Sequence, residues 1–429
     1  MPRDYSSTHN LCAVSTDPET ETMPTRNVDL LLLSSMNDTP SIIRNRLTNS
    51  DEKTGDEEPS RIYETISRFE MPLTFERAQA QHFAFLFFFG LGAIAKEENT
   101  GYAVNTMTPL EKDYNDRYPL PSFTLKTREG DTVGMTTYSG VFVDELTARF
   151  ETDSFAKLTA QLKGTGMQSN PLRREEFVVN GNANLEIDLS GKPVLDGKHE
   201  NIHKVEVYVG NAWREVSIES LSTNGATLNI YPRAELQEGT DYTYRVYYLE
   251  NSFASVGGNI PETPLFETPL FISDVQVRAG GAWNGVSFEG GHAIDTDLKS
   301  LEYNLNNQLR FETGFNAVGS YANRVYREGR TQTIKMDKNA NELLLRAYHD
   351  YNEEIGLRIK AEGADIPNTE SAKYALEMIF PKVGFTSHER STNDKVNAES
   401  LSLTVLKTRW WPSVIVKVTT KLYGELQIM

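Results

Sequence analysis

The chain has 429 residues, 38% of them hydrophobic, enough for two or three domains with real cores. Its 43 basic and 60 acidic residues leave a net charge of −17, which argues against sequence-reading DNA binding, because that needs basic patches against phosphates. The single cysteine, Cys12, excludes an internal disulfide and fits a cytosolic folding environment. MPRDYSSTHN has no basic region followed by an apolar run, so no secretory signal is expected. FAFLFFFGLGAIA, 83–95, is too short to cross a bilayer as a helix, and no membrane insertion is expected.

Residues 1–60 read as a polar, partly flexible N-terminal arm. DLLLL at 29–33 is a docking segment within it, and the acidic stretch from Asp51 to Glu58 is a loop. Residues 61–178 form a first structured region. RIYETISRFEMPL has strand character, and Phe75, Ala78, His82, Phe85, Leu86 and Phe89 then fall at helical spacing, from a cap at Thr74 to Gly90. Strands follow around Tyr102–Met107 and Ser122–Thr127, then a bend at YSGV.

VFVDELTARFETDSFAKLTAQLKGTG, 141–166, reads as a hairpin. Side chains alternate faces along a strand. Phe142, Leu146, Ala148 and Phe150 therefore share one face, with Leu158, Ala160 and Leu162 in the second strand. Val143, Glu145, Thr147, Arg149 and Glu151 take the other face, with Lys157, Thr159, Gln161 and Lys163. Two registers keep the faces matched. One sets Arg149 opposite Lys157; the other sets Glu151 opposite Lys157 and Glu145 opposite Lys163. Cross-strand pairs are worth roughly 0.2–1 kcal/mol each, so the second register is expected.

Residues 179–270 change character. NLEIDLS, KVEVYVG, WREVSIESL, ATLNIYP and DYTYRVYYLE are short alternating strands between turn signals, the pattern of a small immunoglobulin-like sandwich. GGNIPETPLFETP reads as a linker. In 271–429, FISDVQVR, NGVSFEGG, LKSLEYNLNNQLRFE, YANRVYREGRTQTIKMD, KYALEMIFPKVGF and RWWPSVIVKVTTKLYGEL read as strands, and ANELLLRAYHDYNEEI as a helix capped by Asn339. The first and third regions share an order of parts, which suggests an internal duplication.

Three segments carry a resemblance: RFEMPLTFERAQAQHFAFLFFFGLGAI, PLPSFTLKTREGDTVGMTTYSGVFVDELTARFETDSFAKLTAQLKGTG, and LKSLEYNLNNQLRFETGFNAVGSYANRVYREGRTQTIKM. Together they resemble the major tail tube proteins of long-tailed, siphovirus-like bacteriophages, over about two thirds of the chain. The resemblance implies a mainly β (α+β) fold. A tail-tube sandwich or barrel carries a helix packed on its sheet, and the middle region is an inserted Ig-like decoration. It implies a structural virion protein that self-assembles into rings of six-fold or pseudo-six-fold symmetry, stacked into a tube through which DNA passes from capsid to host. The implied partners are further copies of the chain, a tape measure protein, and tail terminator and initiator proteins, with DNA only in transit. On this reading Glu145, Thr147, Arg149, Lys157, Thr159 and Gln161 face the lumen. Six chains make a ring, or three if the first and third regions are each a tube domain.

The remaining motifs point elsewhere only weakly. GLGAIA at 90–95 matches G-x-G-x-x-A, but the apolar run before it has helical rather than strand spacing. DKNANE, 337–342, has Glu342 where a calcium loop needs glycine and Tyr348 where it needs a carboxylate. His199 and His203 lack a third ligand nearby, and HAIDTD, 292–297, is explained by a turn. No nucleophile elbow, phosphate loop or zinc-protease motif is present, so no cofactor, metal or catalytic residue is expected. Trp410 and Trp411 either anchor a ring-to-ring contact or fill core. The alternative function is a β-sandwich adhesin or carbohydrate-binding module, with Trp213 and Trp283 stacking on sugars.

Overall fold

The computed structural model describes residues 10–48, 62–130, 134–169, 172–180, 185–231, 239–250, 258–261, 263–271, 275–313, 321–340, 343–393 and 396–422. The acidic loop from Asp51 to Glu58 lies outside them, as do Asn341 and Glu342 of DKNANE.

The chain is mainly β, with helices packed on sheets. It opens with β1 (Leu11–Val14), β2 (Leu30–Leu32), β3 (Ser41–Thr48) and β4 (Ile62–Phe75), then α1 (Ala80–Leu91). Next come β5 (Gly92–Asn99), β6 (Tyr102–Pro109), β7 (Phe123–Glu129), β8 (Gly134–Glu151) and β9 (Lys157–Gly164). The middle carries β10 (Gln168–Ser169), β11 (Leu172–Asn180), β12 (Leu185–Asp188), β13 (Ile202–Val209), β14 (Ala212–Glu215), β15 (Ile218–Leu221), β16 (Thr227–Ile230) and β17 (Asp241–Leu249). The last region holds β18 (Val275–Trp283), β19 (Phe288–Glu289), β20 (His292–Ala293), β21 (Leu298–Asn306), β22 (Leu309–Glu312), β23 (Arg324–Arg327) and β24 (Thr331–Asn339). After α2 (Leu344–Asp350) it ends with β25 (Glu354–Asp365), β26 (Lys373–Asn393), β27 (Val396–Val405) and β28 (Ile415–Thr420).

Two compact units result. The smaller comprises 1–10, 126–137 and 168–259. Its sandwich sets β11-β17-β13-β14 against β12-β16-β15, with Ile187, Val205, Val207, Leu228, Tyr244 and Val246 between the sheets. The sequence reading missed β11, whose burial alternates without a fully buried residue. It also ran WREVSIESL as one strand, whereas β14 and β15 belong to different sheets.

The larger unit comprises 11–125, 138–167 and 260–429. One layer is the antiparallel run β3-β4-β9-β8-β21-β24-β27-β26. The other runs β18-β25-β26-β28-β6-β5. β26 belongs to both: its first half lies between β25 and β28, and its second half pairs with β27. It turns at Pro381, where the β25 ladder slips between Phe380 and Val383.

α1 differs from its expected form. Thr74 and Phe75 end β4 rather than start the helix, and Gln79 is the N-cap, its N–H donating to His82 Nδ1 at 3.3 Å. All twelve helical residues are buried, which is what a helix apolar on every side requires. Phe85 meets Phe123 of β7 at 5.1 Å between ring centroids, and Phe87 meets Tyr303 of β21 at 6.0 Å. Glu267 closes its N-terminal end. This buried carboxylate accepts from Gln81 N (2.7 Å), Thr420 Oγ1 (2.6 Å) and Lys421 N (2.6 Å), so the chain before β18 ties the helix to the end of β28. Gly92, at φ +99°, ends the helix and β5 begins at once. GLGAIA thus joins a helix to a strand, the reverse of a dinucleotide-binding turn.

Four other expectations are corrected. Residues of the expected arm supply β1 and β2, with Cys12, Val14, Leu30 and Leu32 in the main core. α2 is shorter than expected; Asn339 ends β24, and Leu343 is the helix N-cap. Trp410 is 75% and Trp411 38% exposed, so neither fills core. RWWPSVIVKVTTKLYGEL yields a strand only over Ile415–Thr420 among the described residues.

The eight-strand run is built twice from the same parts. β3-β4-β9-β8 comes from the first half of the chain and β21-β24-β27-β26 from the second, in the same order. β4 and β24 each lead through four residues, 76–79 and 340–343, into a helix. The ladders agree pair for pair. Ile42 opposite Phe69 corresponds to Leu305 opposite Gln332. Glu70 opposite Lys163 corresponds to Thr333 opposite Thr404. Val141 opposite Gly164 corresponds to Val383 opposite Val405. The β8–β9 ladder slips by one residue between Val143 and Glu145, and the β26–β27 ladder slips at the corresponding place, between Phe385 and Ser387. A shared bulge in a shared register marks the two halves as one structural plan.

Candidate functional site

The bulge resolves the hairpin. It leaves Asp144 without a cross-strand partner and switches which alternate residues face the core. Before it, Val141 and Val143 enter the main core, while Phe142 points to a second cluster with Leu120, Leu309, Phe311 and Val325. After it, Leu146, Ala148 and Phe150 enter the main core. The expected placement of Phe142 with Leu146, and of Val143 with the polar residues, is therefore wrong.

The register is also the other one. Arg149 lies opposite Lys157, Glu145 opposite Gln161 and Leu146 opposite Ala160. Each cation has its own carboxylate: Arg149 Nη2 is 2.5 Å from Glu151, and Lys157 Nζ is 3.0 Å from Glu76 at the end of β4. A like-charge pair costs little once each member is neutralised laterally. The turn is fixed from outside, with Thr152 N donating to Lys299 O (3.1 Å) and Ala156 N to Leu270 O (2.9 Å).

Asp144 is buried and pins the junction between the halves. It pairs with Lys163 Nζ at 2.5 Å and accepts from Leu309 N at 2.7 Å. Asn307 Nδ2 donates to Gly90 O (2.9 Å) and Val143 O (3.1 Å), and its Oδ1 accepts from Arg330 Nε (3.1 Å). Arg330 Nη2 reaches Leu91 O at the last turn of α1. Upstream, the bend at Ser139–Gly140 is held by Glu19, whose buried carboxylate accepts from Gly140 N (2.8 Å), Ser122 Oγ (2.8 Å) and Thr124 Oγ1 (2.7 Å). Burial pushes that carboxyl up to about 7. Gly140 sits at φ +67°, and a Cβ there would lie 2.7 Å from Thr165 Oγ1.

The product is one wide polar sheet face. Glu145, Thr147, Arg149, Lys157, Thr159 and Gln161 all lie on it, half-buried or exposed. It continues on both sides of the hairpin. One rung crosses six strands as Thr74, Thr159, Thr147, Asn304, Thr333 and Thr404. Asn304 Nδ2 donates to Thr147 Oγ1 (2.9 Å) and Asn306 Nδ2 to Glu145 Oε1 (2.7 Å), tying the halves together on this face. Ser300 and Ser400 both donate to Asp337, at 2.7 and 2.6 Å. Hydroxyls, amides and balanced charges fill the face; among the described residues it has neither a basic stripe nor a nucleophile–base pair. Asn304, Asn306, Asp144 and Asn307 were missed as site residues; the run NLNN at 304–307 was the visible signal.

The other candidates do not assemble into sites. His199 and His203 are exposed, on a 3-10 turn and on β13. The Trp213 ring is covered by the Arg245 guanidinium at 3.8 Å, which occupies a face a sugar would need. Trp283 packs on Phe288, Ile379 and Ile415. Among the described residues no helix is long and apolar enough to cross a membrane. No protein-family model matches the chain, and no curated protein matches it.

Proposed function

We propose that this chain is a structural subunit that assembles side by side into rings and stacks into a tube, the tail tube of a long-tailed bacteriophage, through which DNA passes. The observation that carries this is the eight-strand run with one polar and one apolar face. The apolar face is packed on the chain's own core. The polar face offers hydration without a row of cations to hold phosphates. Seven antiparallel steps separate β3 from β26, so the two edges run in opposite directions, and identical copies can be placed edge to edge with antiparallel pairing throughout. A closed ring removes the exposed edges that invite uncontrolled aggregation.

The repeated four-strand plan favours three chains in a pseudo-six-fold ring over six. On this reading the smaller unit is a decoration that the assembly does not require, read as Ig-like because β12-β16-β15 and β13-β17 reproduce the B-E-D and C-F neighbours of that fold. The test is negative-stain electron microscopy of the purified protein across a concentration series. Hollow rings or tubes with three-fold averaged end views are expected; single particles at every concentration would refute the assembly reading.

A further inference from the structure

The internal seam between the halves, β8 against β21, has no counterpart at the outer edges of the same sheet. Among the described residues β3 pairs only with β4, and β26 from Phe385 onward pairs on one side only, with β27. Yet β3 over Ser41–Ile43 keeps the register of β21 over Asn304–Asn306, and β26 corresponds to β8 through the shared bulge. We propose that β3 of one copy pairs with β26 of the next in the register that β21 keeps with β8. This rests on the ring reading above and names the strands and residues of its seam.

The register transfers directly. Glu145 opposite Asn306, Leu146 opposite Leu305 and Thr147 opposite Asn304 form the internal seam. Their counterparts set Ser387 opposite Ile43, His388 opposite Ile42, and Glu389 opposite Ser41 of the neighbouring copy. Ile42 already packs against its own core, as Leu305 does, so inward and outward faces agree across the seam. Ile43 is 46% exposed beside the polar face, an apolar side chain that a neighbouring strand would cover. Pro40 falls where Tyr303 stands in the internal seam. Having no N–H, it makes this ladder shorter than the one between β8 and β21.

The test is disulfide trapping in the full chain, whose one native cysteine is buried with its thiol pushed up to about 12. Directly opposed Cα atoms lie about 4.5–5.5 Å apart, inside the disulfide window. Diagonal ones lie about 7–8 Å apart, outside it. Ser41→Cys with Glu389→Cys is expected to oxidise into covalent oligomers ending in a closed trimer, while either single variant stays uncrosslinked. Thr147→Cys with Asn304→Cys, the matching internal pair, closes within one chain and calibrates the chemistry. Assembled rings in which only that internal pair closes overturn the seam and leave the ring reading standing. So does preferential closure of Ser41→Cys with Ser387→Cys, two residues out of register, or a dimer from Ser41→Cys alone. A wild-type chain that stays monomeric at every concentration overturns both.

Discussion

Glu19 shows how much of this chain is decided by single buried polar groups. Its carboxyl, raised to about 7 by burial, binds a proton more readily folded than unfolded. The stability it contributes is therefore full below its unfolded value near 4.5 and is lost as pH rises through 7. The span corresponds to about 3 kcal/mol. Glu19→Gln should flatten the urea-unfolding profile between those limits, with the variant the more stable protein above pH 7; a parallel profile would reject this account. Asn105 is the opposite case. It is fully buried on β6, and neither side-chain atom has a partner among the described residues. Asn105→Leu should raise stability by about 1–3 kcal/mol in denaturant titration. A loss would mean a bound water satisfies the amide. Neither environment was legible in the sequence, because Glu19 sits in a polar stretch and meets Ser122, Thr124 and Gly140 only through the fold.

At the scale of elements, alternation was read correctly on β9, which has no bulge, and wrongly on β8, which has one. A bulge adds one residue and leaves no compositional mark; Asp144 looks like any other polar residue of a polar face. The register failed for a related reason. The ion pairs that settle it, Arg149–Glu151 and Lys157–Glu76, lie along and beside the hairpin rather than across it. For α1, the pattern gave a helix but not its surroundings, since spacing cannot distinguish one apolar stripe from a helix enclosed on all sides. Phe85→Ala should cost about 3–5 kcal/mol through the cavity it leaves beside Phe89 and Phe123. The unfolding transition of the smaller unit should not move with it, and a coincident shift would show the two units to be one cooperative block.

For the whole molecule, the change of composition near residue 179 was visible, but the boundary that matters lies elsewhere. The longest segment of the smaller unit runs from Gln168 to Asn259, and Leu265 and Glu267, which follow it, belong to the α1 end of the larger unit. Replacing 172–258 by a short flexible linker should leave the larger unit folded and, on the ring proposal, assembly unchanged. A deletion reaching Glu267 should lower its stability by several kcal/mol, since a helix end, Thr420 and Lys421 all lose their acceptor. Circular dichroism and electron microscopy on the two deletants separate these outcomes; equal behaviour would remove Glu267 from its assigned role.

The covalent joining of two equivalent halves also bears on how fast a ring closes. In the proposed ring every second seam would form inside a folding chain, where the tether holds the strands at an effective concentration that free subunits reach only when crowded. Only the alternate seams would wait on diffusion. A six-part ring then closes after two productive collisions instead of five, and its appearance should depend less steeply on subunit concentration than that of a ring built from six separate chains.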